Sequence, residues 1–168
     1  MQTRAAIATA HTLAEKIGWG YLVITTGGLA GYAPVAPGTM GTVVAVPVYW
    51  LLMKLGWAPY LIVSLTLFWL GIQGADRIEL ATAQKDSGII VIDEIVGYLI
   101  TMLFLPERGV LVVVGFFVFR LLDILKPYPI RRLDRAPNLK GFGVMMDDVL
   151  AGVYGNIILQ LVVLYLRQ

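Results

Sequence analysis

Apolar residues fill this chain in long blocks, and polar residues collect between them. Residues 43–57 and 58–74 are two apolar runs joined around Gly56-Trp57-Ala58-Pro59, which predicts a tight helical hairpin with Lys54 snorkelling near its turn. Residues 89–105 predict a third span, with Asp93 and Glu94 inside it. Pro106-Glu107-Arg108-Gly109 makes a turn, residues 110–125 a fourth span and residues 144–166 a fifth. A membrane-crossing helix needs roughly 20 apolar residues, near the length of these runs.

The segments around the spans differ in kind. Ala6, Ile7, Ala10, Leu13, Ala14 and Ile17 recur at helical spacing, so residues 3–17, within an N-terminal stretch of 1–18, predict an amphipathic helix on the membrane surface or on the bundle. Residues 19–32 are apolar, contain four glycines and are short for a span, which predicts a re-entrant or interfacial segment. Two prolines and two glycines break regular helix in 33–42, and Gly38 to Thr42 open the next one. Thr39 or Thr42 can cap that helix, whose free N–H groups favour anions; a plain turn and cap would serve as well. Residues 75–88 are polar and predict a solvated loop with at most a turn or two of helix.

Composition turns this pattern into a class. Of 168 residues, 58% are hydrophobic and 14% charged, with mean hydropathy +0.79, too apolar and too weakly charged for a soluble domain. The expected architecture is an all-α, polytopic membrane bundle forming a single domain over 1–168, with about five spans, the N-terminal helix and the re-entrant or interfacial segment. A net charge of +2 without a basic arm argues against nucleic acid, and nothing implies an obligate protein partner. The absence of cysteine removes disulfides and thiolate chemistry. The first 19 residues lack a signal-peptide layout, so insertion is expected to rely on the internal spans. His11, the single histidine, reads more readily as a solvated residue than as a catalytic one.

Five spans would put the N-terminus, residues 75–88 and the connector 126–143 on one side. That side holds nine of the 13 Lys and Arg, including Lys126, Arg131, Arg132, Arg135 and Lys140; the other holds three, and Arg120 lies inside a span. The excess marks the first side as cytoplasmic. Asp93, Glu94, Asp123, Asp147 and Asp148 all fall within about 9 Å of that same face at 1.5 Å rise per residue. Acids within a span are costly, and adjacent acids repel. A hard divalent ion such as Mg²⁺ relieves both problems, and the neighbouring cations suit a phosphate. Arg120 and Asp123, three residues apart, can pair; a purely structural set of salt bridges would need more buried cations than Arg120 and Lys126 supply.

Four blocks, P-V-A-P-G-T-M-G-T (34–42), D-S-G-I-I-V-I-D-E-I-V-G (86–97), F-R-L-L-D-I-L-K-P-Y-P-I-R-R-L-D-R (119–135) and G-F-G-V-M-M-D-D-V-L-A-G (141–152), resemble those of bacterial phosphatidylglycerophosphatase A. The resemblance implies a Mg²⁺-dependent phosphatase of the bacterial cytoplasmic (inner) membrane. Its site would open at the cytoplasmic face and convert phosphatidylglycerophosphate to phosphatidylglycerol. It implies that Asp93, Glu94, Asp123, Asp147 and Asp148 are the metal and catalytic acids, with Asp86 a weaker candidate, and that Arg120, Lys126, Arg131 and Arg135 bind phosphate or headgroup. Three rival readings stand beside it, of which a non-enzymatic anionic-lipid binder would use the basic connector alone and leaves the five acids unexplained. An ion or proton-coupled transporter would place its acids nearer the midplane, between repeats. A phosphatidyl-transfer enzyme would carry a D-G-x-x-A-R motif, which is absent.

Overall fold

A computed structural model describes residues 2–84, 87–134 and 139–168, with the side chains of 2–8, 133 and 134 excluded. Among these residues helices are the only regular structure. They are α1 (Gln2–Ile17), α2 (Trp19–Thr25), a 3₁₀ turn (Ala30–Tyr32), α3 (Pro37–Leu55), α4 (Trp57–Thr82), α5 (Ile92–Thr101), α6 (Gly109–Leu125), α7 (Ile130–Asp134) and α8 (Lys140–Tyr165). Three of them, α3, α4 and α8, with 19, 26 and 26 residues, are long and apolar enough to cross a membrane.

The amphipathic reading of the N-terminus holds. Ala10, Leu13, Ala14 and Ile17 are buried against α2 and α4, while His11 and Glu15 pair on the exposed face at 3.3 Å. The segment 19–32 becomes the two-turn α2 and the 3₁₀ turn, and α2 at 7 residues is too short to span. The Thr25 carbonyl at its end accepts the Val91 N–H at 3.0 Å, tying this segment to the entrance of α5.

Residues 75–88 depart from the loop reading, because α4 runs on to Thr82. Ala75 and Ile78 are buried, Arg77 lies over the Tyr21 ring at 4.0 Å, and Asp76 Oδ1 accepts the Gly141 N–H at 2.8 Å. The polar residues there have helical partners rather than water alone, and Asp76 caps the first turn of α8 from a different helix.

The third expected span is also corrected. Only Ile92–Thr101 is helical, 10 residues or about 15 Å, half of a hydrocarbon core. This short helix is the centre of the bundle. It packs on α3, α4, α6 and most extensively α8, and eight of its residues are buried. A helix that stops inside a bundle leaves carbonyls without intrahelical partners. Asn156 Nδ2 donates to Thr101 O at 3.0 Å and to Leu103 O at 2.7 Å, and Gln160 Nε2 donates to Leu103 O at 3.2 Å. Two amides of α8 thus complete the hydrogen bonding where α5 ends. On its flanks, Tyr60 Oη donates to Leu99 O at 2.7 Å and Tyr98 Oη to Val112 O at 3.0 Å, fixing α5 to α4 and α6.

Candidate active site

The beginnings of α3, α5 and α8 and the end of α6 meet at one end of the bundle. They enclose a cavity of about 310 Å³ lined by Gly38, Asp93, Glu94, Arg120, Asp123, Lys126, Asp147 and Asp148, among others. All five acids expected from the sequence are therefore brought together with two of the expected cations.

Each acid arrives by local geometry. Asp93 and Glu94 sit in the first turn of α5, where unpaired N–H groups and the helix dipole favour negative charge. Asp93 Oδ1 accepts the Glu94 N–H at 3.1 Å, and Asp147 Oδ1 accepts the Asp148 N–H at 3.1 Å, so both pairs orient one carboxylate through the next residue's backbone. Oxygens of Asp93, Glu94 and Asp148 all lie within 4.8 Å of one another, although they come from two helices. Asp148 also adjoins Asp123 of α6. The two helices reach this closeness because Gly152 has no side chain: a methyl group there would overlap the Gly97 carbonyl, one turn along α5 from Asp93.

The cations divide the cluster between them. Arg120 Nη1 lies 2.7 Å from Asp123 Oδ2 and 3.6 Å from Glu94 Oε1, so it joins α5 to α6. Lys126 Nζ donates to Asp147 Oδ2 at 2.6 Å, joining the end of α6 to α8. Lys126 adopts φ 43, ψ 65, the left-handed conformation at the C-terminus of α6. That conformation costs a non-glycine residue about 1–2 kcal/mol, and the ion pair with Asp147 opposes the cost.

The donor set fits a hard divalent cation. Three carboxylates converge, and Glu94 Oε2 is buried without a hydrogen-bond donor among the described residues. Carboxylate oxygens are the ligands that Mg²⁺ or Ca²⁺ takes. Five carboxylates against two cations line the cavity, an excess of three negative charges if all are ionised. A divalent ion would reduce that excess.

Other expected residues fall elsewhere. Thr39 makes no cap: Ala36 occupies the cap position of α3 without a side-chain bond, and Thr42 Oγ1 instead donates back to Gly38 O at 3.1 Å. The start of α3 reaches the cavity with Pro37 and Gly38, together with its cap residue Ala36. Arg131 is exposed and borders an adjacent cavity of about 510 Å³ together with Lys126, Pro127, Tyr128 and Arg132. Asp86 and Arg135 lie outside the described residues. Sequence reasoning placed Gly38 at a helix start and Arg132 in the basic connector without assigning either to the site, and passed over Tyr128; only the folded chain shows what they border.

A helical membrane bundle with buried carboxylates, two cations and a basic flank at one end has the parts a membrane phosphatase requires. Over residues 23–163 the chain matches the family model described as Phosphatidylglycerophosphatase A. It belongs to that family and is a phosphatase. It is similar to the Escherichia coli (strain K12) protein named phosphatidylglycerophosphatase A, 38% identical over 136 residues that cover 80% of this chain and 77% of the relative. The Haemophilus influenzae protein of the same name is 37% identical over 125 residues, 73% of this chain and 76% of the relative. A Bacteroides thetaiotaomicron protein named putative phosphatidylinositol-3-phosphatase is 38% identical over 148 residues, 82% of this chain and 90% of the relative. No solved structure matches the chain.

Proposed function

We propose that this protein, acting as one membrane-embedded domain, removes the terminal phosphate of phosphatidylglycerophosphate at the cytoplasmic face of a bacterial inner membrane, leaving phosphatidylglycerol. The observation that carries the reading is the convergence of Asp93, Glu94 and Asp148 within 4.8 Å beside Arg120 and Lys126. Helices α3, α4, α8 and the 17-residue α6 cross the bilayer, while α5 reaches only part of the way. Arg77, Lys126, Arg131, Arg132 and Lys140 then lie on the side of the site, and Lys54, Arg108 and Arg167 on the opposite side, which favours a cytoplasmic site.

In this reading Asp93, Glu94 and Asp148 hold Mg²⁺, with Asp123 and Asp147 completing the ring of acids. The ion supplies Lewis-acid polarisation of a phosphoryl oxygen. Arg120 keeps Glu94 and Asp123 in place and offers positive charge to the entering phosphate. Lys126, at the boundary of both cavities, orients Asp147 and meets the same phosphate from the headgroup side. The depth of the site lets acyl chains stay in the bilayer while the phosphate enters from the surface.

The test is phosphate release from phosphatidylglycerophosphate in detergent micelles. Release with Mg²⁺, loss with a chelator and recovery on adding Mg²⁺ back are expected. Faster release from phosphatidylinositol 3-phosphate would move the substrate assignment to the one the Bacteroides relative's name suggests. No release from either lipid with Mg²⁺ present would overturn the reading.

A further inference from the structure

The basic cavity beside the acid cluster has no part in holding a metal, and its residues are set in fixed positions. Arg132 places its guanidinium over the Tyr128 ring at 4.9 Å and donates to Tyr128 Oη at 3.3 Å. Arg131 Nη2 donates to Leu125 O at 3.1 Å, at the C-terminal end of α6. The loop beneath them is pinned, because Ile130 is completely buried and Tyr154 Oη donates to Tyr128 O at 3.3 Å. A guanidinium has five N–H donors, and among the described residues Arg131 and Arg132 each give one to the protein. Both remain exposed, with most of their donors available to a ligand.

Lys126 borders both cavities, so the two adjoin across its side chain. The chemistry of the two chambers differs. The first offers carboxylates for a metal; the second offers guanidinium groups and a tyrosine, which suit a phosphate diester that is bound and not cleaved. Phosphatidylglycerophosphate carries both kinds of phosphate, a terminal monoester and an internal diester, separated by glycerol. We propose that Tyr128, Arg131 and Arg132 form a subsite for the internal diester phosphate of the lipid headgroup, with Lys126 at the junction. The enzyme thereby selects lipids that bear a second phosphate between the acyl chains and the scissile one. This rests on the acidic cavity being the place where the terminal phosphate is removed.

The subsite discriminates against phosphatidic acid, whose single phosphate is a monoester attached directly to diacylglycerol. The experiment compares wild type with the Arg131→Gln/Arg132→Gln double variant, and with Arg132→Lys, on both lipids in non-ionic detergent micelles with Mg²⁺. The wild type is expected to prefer phosphatidylglycerophosphate. The double variant is expected to raise KM for that lipid at least tenfold, to change kcat much less, and to lose its preference over phosphatidic acid by a similar factor. Arg132→Lys keeps the charge but loses the planar fork, and should fall between the two. Equal proportional losses on both lipids would overturn the subsite. So would a defect seen only in vesicles rich in anionic lipid, which would make the arginines a general membrane-surface attraction. Wild-type protein inactive on both lipids would instead overturn the catalytic reading, and this inference with it.

Discussion

The backbone of Gly38 lies directly against the carboxylate of Glu94: a methyl group built on Gly38 would overlap Oε1 and stand 3.2 Å from Arg120 Nη1. The first turn of α3 thereby sets where the α5 carboxylate can go. The obstructing atom is the far end of a side chain that can rotate, so Gly38→Ala should leave the fold intact. Its melting temperature in detergent is expected within a few degrees of wild type, whereas phosphatase activity falls at least tenfold as Glu94 is pushed out of place. Equal activity would show that Glu94 needs no fixed position.

The acid cluster also makes an opposite pair of predictions for one substitution. Without a divalent ion, Asp148 sits buried among Asp93, Glu94, Asp123 and Asp147. Asp148→Asn removes one of the mutually repelling charges, so in chelator the variant should melt at or above the wild-type temperature. Added Mg²⁺ should stabilise wild type in a concentration-dependent way, since a ligand that binds only the folded state raises its stability by mass action. The variant should lose most of that Mg²⁺-dependent rise, and turnover should drop by more than a hundredfold. Thermal melts with and without Mg²⁺ separate the two effects. A variant that retained the full Mg²⁺ response would remove Asp148 from the metal site.

Lys126 separates backbone from charge. Its φ of 43 belongs to the region glycine occupies most easily. Lys126→Gly relieves the strain and deletes the ion pair with Asp147; Lys126→Ala deletes the ion pair and keeps the strain. The glycine variant is expected to be more stable than the alanine variant by about 1 kcal/mol. Both should lose activity to a similar extent, about tenfold or more. Recovery of activity in the glycine variant would mean that the backbone turn, not the ammonium, is what the site uses.

Much of the site could be read before the fold was known, because charge is rare in this chain. With so few ionisable residues among apolar runs, the place of each acid within its run was enough to bring Asp93, Glu94, Asp123, Asp147 and Asp148 to one end, although the third of the five expected spans proves to be the 10-residue α5, too short to cross. The order of the chain carried Arg120 and Lys126 there too. What could not be read depended on contacts between distant segments. The run 89–105 is largely apolar, with Asp93 and Glu94 inside it, yet α5 stops at Thr101, and amides more than 50 residues away, Asn156 and Gln160, donate to the Thr101 and Leu103 carbonyls at and just past its end. Residues 75–82 looked solvated because Asp76 and Arg77 are charged, and their partners Gly141 and Tyr21 lie far off in sequence. The placement of Arg131 outside the acidic cavity follows from the turn after Lys126, whose direction no spacing rule gives.

The same long-range hydrogen bonds allow stability and catalysis to be tested apart. Asn156 supplies the donor seen at Thr101 O and the shorter of the two donors at Leu103 O. Asn156→Leu puts an apolar side chain of similar size in a half-buried position and removes both bonds. Gln160 still reaches Leu103 O, so Thr101 O bears most of the loss. Leaving a buried acceptor without a donor costs about 1–3 kcal/mol, and here no water from the bilayer core can take the donor's place. The variant should therefore unfold at lower temperature or denaturant concentration in detergent. Below its melting range it should keep most of its phosphatase activity, because the loss falls at the end of α5 away from Asp93 and Glu94. If activity instead collapses while the protein remains folded, the end of α5 controls the register of Asp93 against Asp148, and the bundle transmits that shift along the whole helix.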